Sequence, residues 1–227
     1  ASAIIPVGYK QTEVGVIPED WEVGDLQSVC QHPISYGIVQ CGPNIENGVP
    51  YIRVSDMNKE KLNVSGMLRT SSKISARFPR SIVLEDEIVY ALRGLFGHVL
   101  LIPAEVEGAN LTQGTARISP NNRVTANFLL WSLRSFESLR QANLEAKGST
   151  FREITLAELR KIKIPIPFLM EQRAIAKALK NVDSLVASMN YLITKKRNIK
   201  QGTMQELLSG RTQLPGFSGK WKNCKLI

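Results

Sequence analysis

Forty consecutive residues, Met170 to Ser209, contain no proline and a single glycine, Gly202. Nothing else in the chain limits its architecture as strongly. A continuous helix of that length rises about 60 Å at 1.5 Å per residue, more than a small domain needs for itself. Its apolar positions Ile175, Leu179, Val182, Val186, Met189 and Ile193 follow a 4-3-4-3-4 spacing, which is a heptad seam. A second seam runs beside it through Ala178, Val182, Leu185, Met189, Leu192 and Ile199. Two adjacent stripes require cover from more than one neighbour, so the spacing predicts a helix that pairs with another helix. Gly210 stands where a C-terminal cap is expected.

The charge is distributed unevenly. Of a net +9, residues 1–169 hold 18 Lys+Arg against 17 Asp+Glu, whereas residues 170–227 hold 11 against 3. The basic surplus therefore sits in the tail. A nearly neutral first part has little of the phosphate neutralisation that supplies most non-specific affinity for a nucleic acid, so any such binding by the chain alone is expected to be weak. The three cysteines, Cys30, Cys41 and Cys224, lack CxxC spacing, which argues against a zinc site or disulfide framework and points to a reducing cytoplasm. The start, Ala1 to Pro6, lacks a secretory pattern, and no apolar run is long enough to span a bilayer.

Upstream of the long helix the patterns mix strand and helix, an α+β class with a twisted sheet. Strand composition marks Tyr51–Ser55, Glu87–Leu92, His98–Ile102 and Thr115–Ser119. Residues 127–141 place Phe128, Trp131, Leu133, Phe136 and Leu139 at helical spacing and read as one amphipathic helix. Thr155–Arg160 reads as a capped turn and Ile162–Ile164 as a last strand, with Pro165 and Pro167 expected to end the domain. The expected organisation is 1–168 for a mixed α and β domain, 169–210 for the pairing helix and 211–227 for a tail. That tail repeats the Pro18…Trp21…Leu26 pattern as Pro215…Trp221…Leu226, as if a second copy of the domain began there.

Catalytic signatures are sparse. The chain has no GxGxxG, Walker or HExxH pattern, no Asn-Pro-Pro-Tyr type tetrapeptide, and only two histidines, His32 and His98. Gly94-Leu95-Phe96-Gly97 is compatible with a clamp or a simple turn, and Glu145-Ala146-Lys147 with a fragment of a nuclease site. Donor-rich loops stand out instead. They supply Tyr36, Gln40, Arg53, Arg69, Lys73, Arg93, Gln113 and Arg117 as candidate DNA contacts, since Arg and Gln match purine edges while Lys and hydroxyls suit phosphates.

Gly148-Ser149-Thr150-Phe151-Arg152-Glu153-Ile154, then Ile164-Pro165-Ile166-Pro167 and Glu171-Gln172-Arg173-Ala174-Ile175-Ala176, resemble the specificity subunits of type I restriction-modification enzymes. Leu207-Leu208-Ser209-Gly210 continues the likeness, as do Tyr36-Gly37 and Pro50-Tyr51-Ile52-Arg53-Val54-Ser55-Asp56. The chain departs from the family in carrying one recognition domain and one conserved helix where full-length members have two. It also has Asp86-Glu87 where the family usually shows Gly-Asp. The resemblance implies a non-catalytic reader of half a bipartite double-stranded DNA site. It further implies DNA adenine methyltransferase (modification) subunits carrying S-adenosylmethionine and a restriction subunit that joins as motor and nuclease. The paired seams themselves predict a homodimer by antiparallel pairing of the long helix. Two readings of other classes stay open at this point: a small nuclease using Glu145 and Lys147, and a helical oligomerisation adaptor without base readout.

Overall fold

Residues 88–91 alternate Ile, Val, Tyr, Ala, and all four are buried, which requires a strand covered on both faces. A computed structural model of the chain, describing residues 5–57, 61–148 and 152–219, shows how this is done. The chain divides into two units, Ala1–Lys177 and Ala178–Ile227.

In the first unit, β1 (Tyr9–Thr12) and β2 (Gly15–Pro18) form a hairpin, followed by β3 (Glu22–Asp25), β4 (Ser35–Tyr36) and β5 (Val49–Ile52). Next come β6 (Arg69–Thr70), the one-turn α1 (Ser72–Ser75), β7 (Ile88–Ala91), β8 (Val99–Leu101), β9 (Asn110–Leu111) and β10 (Thr115–Ile118). Helices α2 (Ala126–Arg134), α3 (Phe136–Glu145) and α4 (Leu156–Lys161) precede β11 (Lys163–Ile166) and the long α5 (Leu169–Leu208). The central sheet has the order β4-β10-β7-β8, and a three-stranded sheet the order β6-β5-β9.

The period-two rule sorts the core. Ile88, Tyr90, Val99, Ala116 and Ile118 point to one side, where Leu26, Leu129, Leu133, Leu159 and Ile164 from the helices and β11 complete a cluster. Val89, Ala91, Leu100 and Ile102 point to the other, against Ile52, Met57, Val83 and Leu111. Burial of each Leu, Ile or Val contributes about 1.5–3 kcal/mol, so both faces of the sheet carry a substantial part of the stability.

Four local expectations are corrected. The expected single helix over 127–141 is two, because the Ser135 hydroxyl accepts the Ser138 amide at 3.2 Å and starts a new N-terminus. The buried face of α2 is Phe128, Leu129, Leu130 and Leu133, while Phe136 is 81% exposed. The strand expected over Tyr51–Ser55 stops at Ile52, since Asp56 Oδ2 accepts the Arg53 amide at 2.9 Å and tightens the chain into a 3-10 turn. Pro165 lies inside β11, paired with Val23 of β3; a two-stranded ladder leaves an edge on which a missing amide is tolerated.

Helix α5 runs through Gly202 without a break and ends in a Schellman motif. The Arg211 amide donates to Glu206 O at 3.1 Å and that of Gly210 (φ 71°) to Leu207 O at 3.3 Å. In the second unit, Leu179, Val182, Val186, Met189 and Ile193 are all exposed. Ile175 is part-buried beside the buried Gln172 and Ala176 in the first unit, so the open seam begins at Leu179. Among the described residues no helix is long and apolar enough to cross a membrane. The second half of the suspected repeat, Lys220–Leu226, lies outside the described residues.

Candidate nucleic-acid interface

The turn between β9 and β10, residues 112–114, is the point on which the polar loops converge. Gly37 N donates to Thr112 O at 3.2 Å, Ile38 N to Leu111 O at 2.7 Å, and Gln113 N to Ile38 O at 3.0 Å. A Cβ at position 37 would lie 1.7 Å from Leu111 O, so only glycine allows the two backbones to approach this closely. The exposed Tyr36 and Gln40 are thereby held beside Gln113. From the other side, the amide and hydroxyl of Thr112 both donate to Ile52 O at 3.1 Å, which brings in Arg53. Leu92 N donates to Gly114 O at 2.9 Å, and a Cβ at Gly114 would sit 3.3 Å from Arg93 Nε. Tyr36, Gln40, Arg53, Arg93 and Gln113 therefore share one neighbourhood.

Arg53 is held in place. Its Nε and Nη2 donate to Asp56 Oδ2 and Oδ1 at 2.9 and 2.6 Å, and Asp56 is 2% exposed. That hydrogen-bonded pairing raises the Arg53 pKa further above its ordinary value. Burial pushes the neighbouring Tyr51 hydroxyl and Cys41 thiol up from theirs, so both stay protonated as potential donors. Asp56 was not among the sequence candidates; its place three residues after Arg53 is the signal that could have found it.

Arg69 joins through the loop of residues 41–48, and Lys73 follows it in α1. Thr70 Oγ1 donates to Cys41 O at 2.6 Å, Arg69 Nη1 to Gly48 O at 3.0 Å, and Arg69 N to Asn44 Oδ1 at 2.8 Å. Arg117 is not part of this group. Its Nε and Nη2 are bound to Glu87 at 2.7 and 2.6 Å, and its side chain is only 11% exposed against 35% for the similarly clasped Arg53, so little of it reaches the surface. The Gly94–Gly97 segment is the β7–β8 turn, closed by Gly97 N donating to Ala91 O at 3.2 Å. Lys147 exchanges backbone hydrogen bonds with Glu153, and Ser149–Phe151 lie outside the described residues. Among the described residues, no group of three or more His, Cys, Asp or Glu side chains is placed to hold a metal ion.

The arrangement offers paired-donor and hydroxyl side chains on loops fixed by a rigid sheet, which suits recognition of a polar surface. Comparison with known proteins agrees. Residues 18–201 match the family model described as the type I restriction modification DNA specificity domain. The chain is 25% identical over 202 residues to the type I restriction enzyme EcoBI specificity subunit of Escherichia coli, covering 86% of this chain and 42% of that protein. It is 27% identical over 221 residues to the type I restriction enzyme MjaVIII specificity subunit of Methanocaldococcus jannaschii, covering 92% and 50%. Among solved structures, the HsdS subunit from Thermoanaerobacter tengcongensis superposes with a TM-score of 0.61 at 18% identity, over 89% of this chain and 52% of that one. The fold is shared at that level, mixed α and β with a long C-terminal helix. The chain spans about half the length of the curated relatives it matches.

Proposed function

The chain belongs to the family of type I restriction modification DNA specificity domains, and from that membership we propose that it reads one half of a bipartite duplex DNA target for a methyltransferase complex. The observation that carries the reading is the convergence of Tyr36, Gln40, Arg53, Arg93 and Gln113 on the 112–114 turn. Arg53, held by Asp56 with 35% of its side chain still exposed, gives up little side-chain freedom when that exposed part meets a base edge, and so contributes specificity at low entropic cost.

In this reading the chain does no bond chemistry. Modification subunits supply S-adenosylmethionine and methylate adenine, and a restriction subunit supplies motor and nuclease. The α5 seam from Leu179 to Ile193 pairs antiparallel with that of a second copy, so two half-length chains make one reader of two half-sites. Identical readers related by a two-fold axis demand a palindromic target with a gap.

Methylation-site sequencing of DNA from cells expressing the chain with its modification subunit tests this. The expected result is one gapped palindromic motif that disappears when the chain is omitted. Methylation that persists without the chain, or lacks a motif, counts against the reading. DNA cleavage by the purified chain with magnesium would restore the nuclease alternative.

A further inference from the structure

We propose that residues 61–84 form the chain's grip on the DNA backbone, a row of phosphate seats beside the reading loops. The row ends in a pocket between His32, Ser35, Arg80 and Arg117 that takes one phosphodiester. The proposal rests on the DNA-reading function above and adds where the backbone runs.

The near-neutral charge of the first 169 residues conceals a segregation. Residues 61–84 contain Lys61, Arg69, Lys73, Arg77 and Arg80 and no Asp or Glu. The rest of residues 1–169 holds 13 Lys+Arg against 17 Asp+Glu, so the body is acidic and the strip is the basic part. Residues 26–45, against which the strip is laced, contain no Asp, Glu, Lys or Arg. A charge-free reading loop beside a cation-only strip is the division expected of base edges beside phosphates.

Elsewhere in the unit six cations are held in ion pairs. Arg53 pairs with Asp56, Arg117 with Glu87, Arg123 with Glu22, Arg140 with Glu137, Lys161 with Glu158 and Lys163 with Asp25. In the strip, the exposed side chains of Lys73, Arg77 and Arg80 have no ion pair or hydrogen bond among the described residues. Arg69 reaches only a backbone carbonyl, Gly48 O. Like charges left together without acidic partners repel, so such a row stabilises nothing in the free chain and suits an anionic polymer.

The strip is fixed rather than loose. Ser71 Oγ accepts the Ile74 amide at 3.2 Å, Ser81 Oγ donates to Phe78 O at 2.9 Å, and the buried Asn110 donates to Ser81 Oγ at 2.9 Å. Ser35 Oγ donates to Arg80 O at 3.0 Å, which ties the end of the strip to β4 one residue before Tyr36. Here a pocket of about 320 Å³ opens, lined by His32, Pro33, Ser35, Arg80, Arg117 and Ser119 among others. The Glu87-bound Arg117 lines one side and the unpaired Arg80 another, with hydroxyls and an imidazole nearby. In this acid-free lining the unpaired Arg80 guanidinium, with the His32 imidazole and the Ser119 hydroxyl, is left to meet the non-bridging oxygens of a phosphodiester.

The test is a salt series of duplex binding by the chain with its modification subunit. It compares the duplex carrying the methylated motif with a scrambled one, for Arg77→Gln, Arg80→Gln and both together. Lys161→Gln, a paired cation elsewhere on the unit, serves as control. Each lost phosphate contact should flatten log K against log salt by about 0.9. The double variant is expected to flatten it by about two, to weaken both duplexes alike, and to leave the methylated motif unchanged, with the control like wild type. An unchanged slope overturns the grip. So does an altered methylation motif, which would make these arginines base readers. Loss of modification-subunit binding with an unchanged DNA slope also overturns it and assigns the strip to an acidic protein partner. A wild-type complex that binds both duplexes equally would refute the reading function instead, while a flattened slope in the double variant would still support the grip.

Discussion

The Arg117 guanidinium on β10 and the Glu87 carboxylate, one residue before β7, meet in a two-bond clasp, Nε to Oε2 at 2.7 Å and Nη2 to Oε1 at 2.6 Å. The side chains are only 11% and 5% exposed, and Glu87 Oε2 also accepts the Leu84 amide at 2.8 Å. Removing one partner of such a pair strands the other charge in a poorly hydrated place, at a cost of roughly 3–5 kcal/mol. Arg117→Met should therefore lower the urea midpoint, with a loss of unfolding free energy near the bottom of that range. Pairing it with Glu87→Leu should recover part of the loss, because the stranded charge is then gone. Equal midpoints for Arg117→Met and wild type would show the pair to be inert.

Gln172 gives the second prediction. Its Oε1 accepts the Thr125 amide at 2.8 Å, and its Nε2 donates to Arg123 O at 2.9 Å and Pro167 O at 2.8 Å. The side chain is fully buried, and Thr125 in turn caps α2, so one amide group fastens the first turn of α5 to the start of α2. Gln172→Ala leaves those three backbone groups without their partner and should cost about 2–3 kcal/mol, a fall in Tm of roughly 4–12 °C for a chain of this size. Hydrogen exchange at the Thr125 amide should accelerate. Gln172→Glu should be worse, since a carboxylate would face two carbonyl oxygens.

What could be read from the sequence was what depends on period and local chemistry. The β7, β8 and β10 strands, the cap at Thr155 and the uninterrupted α5 all follow from side chains within a few residues. What could not be read depended on distant partners. Nothing near Arg117 announces that Glu87, thirty residues earlier, takes its donors. Ser135 looked like an interior residue of one helix until its hydroxyl was seen capping another. The acid-free run 61–84 was present in the sequence, but charge summed over the whole domain hid it.

Asp86 shows a departure from the family pattern being absorbed. It stands where the family usually has glycine and is the one non-glycine with positive φ, 62°, among the described residues. Asp tolerates this left-handed conformation better than most residues, but a Cβ there still costs about 1–2 kcal/mol. Asp86→Gly should relieve that, less the roughly 0.4–1 kcal/mol by which glycine loosens the unfolded chain. The expected net effect is a slightly raised Tm, while Asp86→Val should lower it. A lower Tm for the glycine variant would mean that the Asp side chain contributes more than its backbone strain costs.

Cys30 makes stability depend on pH at the alkaline end. Burial pushes its thiol up to about 12, and the neutral thiol donates to Leu26 O at 3.1 Å. The folded state therefore holds a proton that the unfolded chain releases near pH 9. Stability from this group is intact below about pH 9 and falls between pH 9 and 12, by up to about 1.4 kcal/mol per unit. Tyr90, also raised by burial, extends the decline above its ordinary range. Unfolding measured from pH 8 to 11 should show the fall, and Cys30→Ala should flatten it while lowering stability at pH 8. A wild-type curve flat to pH 11 would contradict the buried neutral thiol.

The pairing of α5 yields the last prediction. From Leu179 onward the seam is open: Val182 is 59% exposed, Val186 50%, Met189 54% and Ile193 49%. Apolar rows of this kind on a charged helix mark an interface, and the 4-3-4 spacing suits knobs-into-holes packing against a like helix. Val182→Glu with Met189→Glu would set two carboxylates per copy in the middle of that seam. The double variant should sediment as a monomer at concentrations where wild type is a dimer. Chain-dependent methylation should be lost, because one reader cannot span two half-sites. The first unit should keep its own unfolding transition, since Val182 and Met189 lie in the second unit with exposed side chains. A wild-type monomer at micromolar concentration, or a methylated motif without two-fold symmetry, would rule out the symmetric pair. In that case the seam would belong to helices of another subunit.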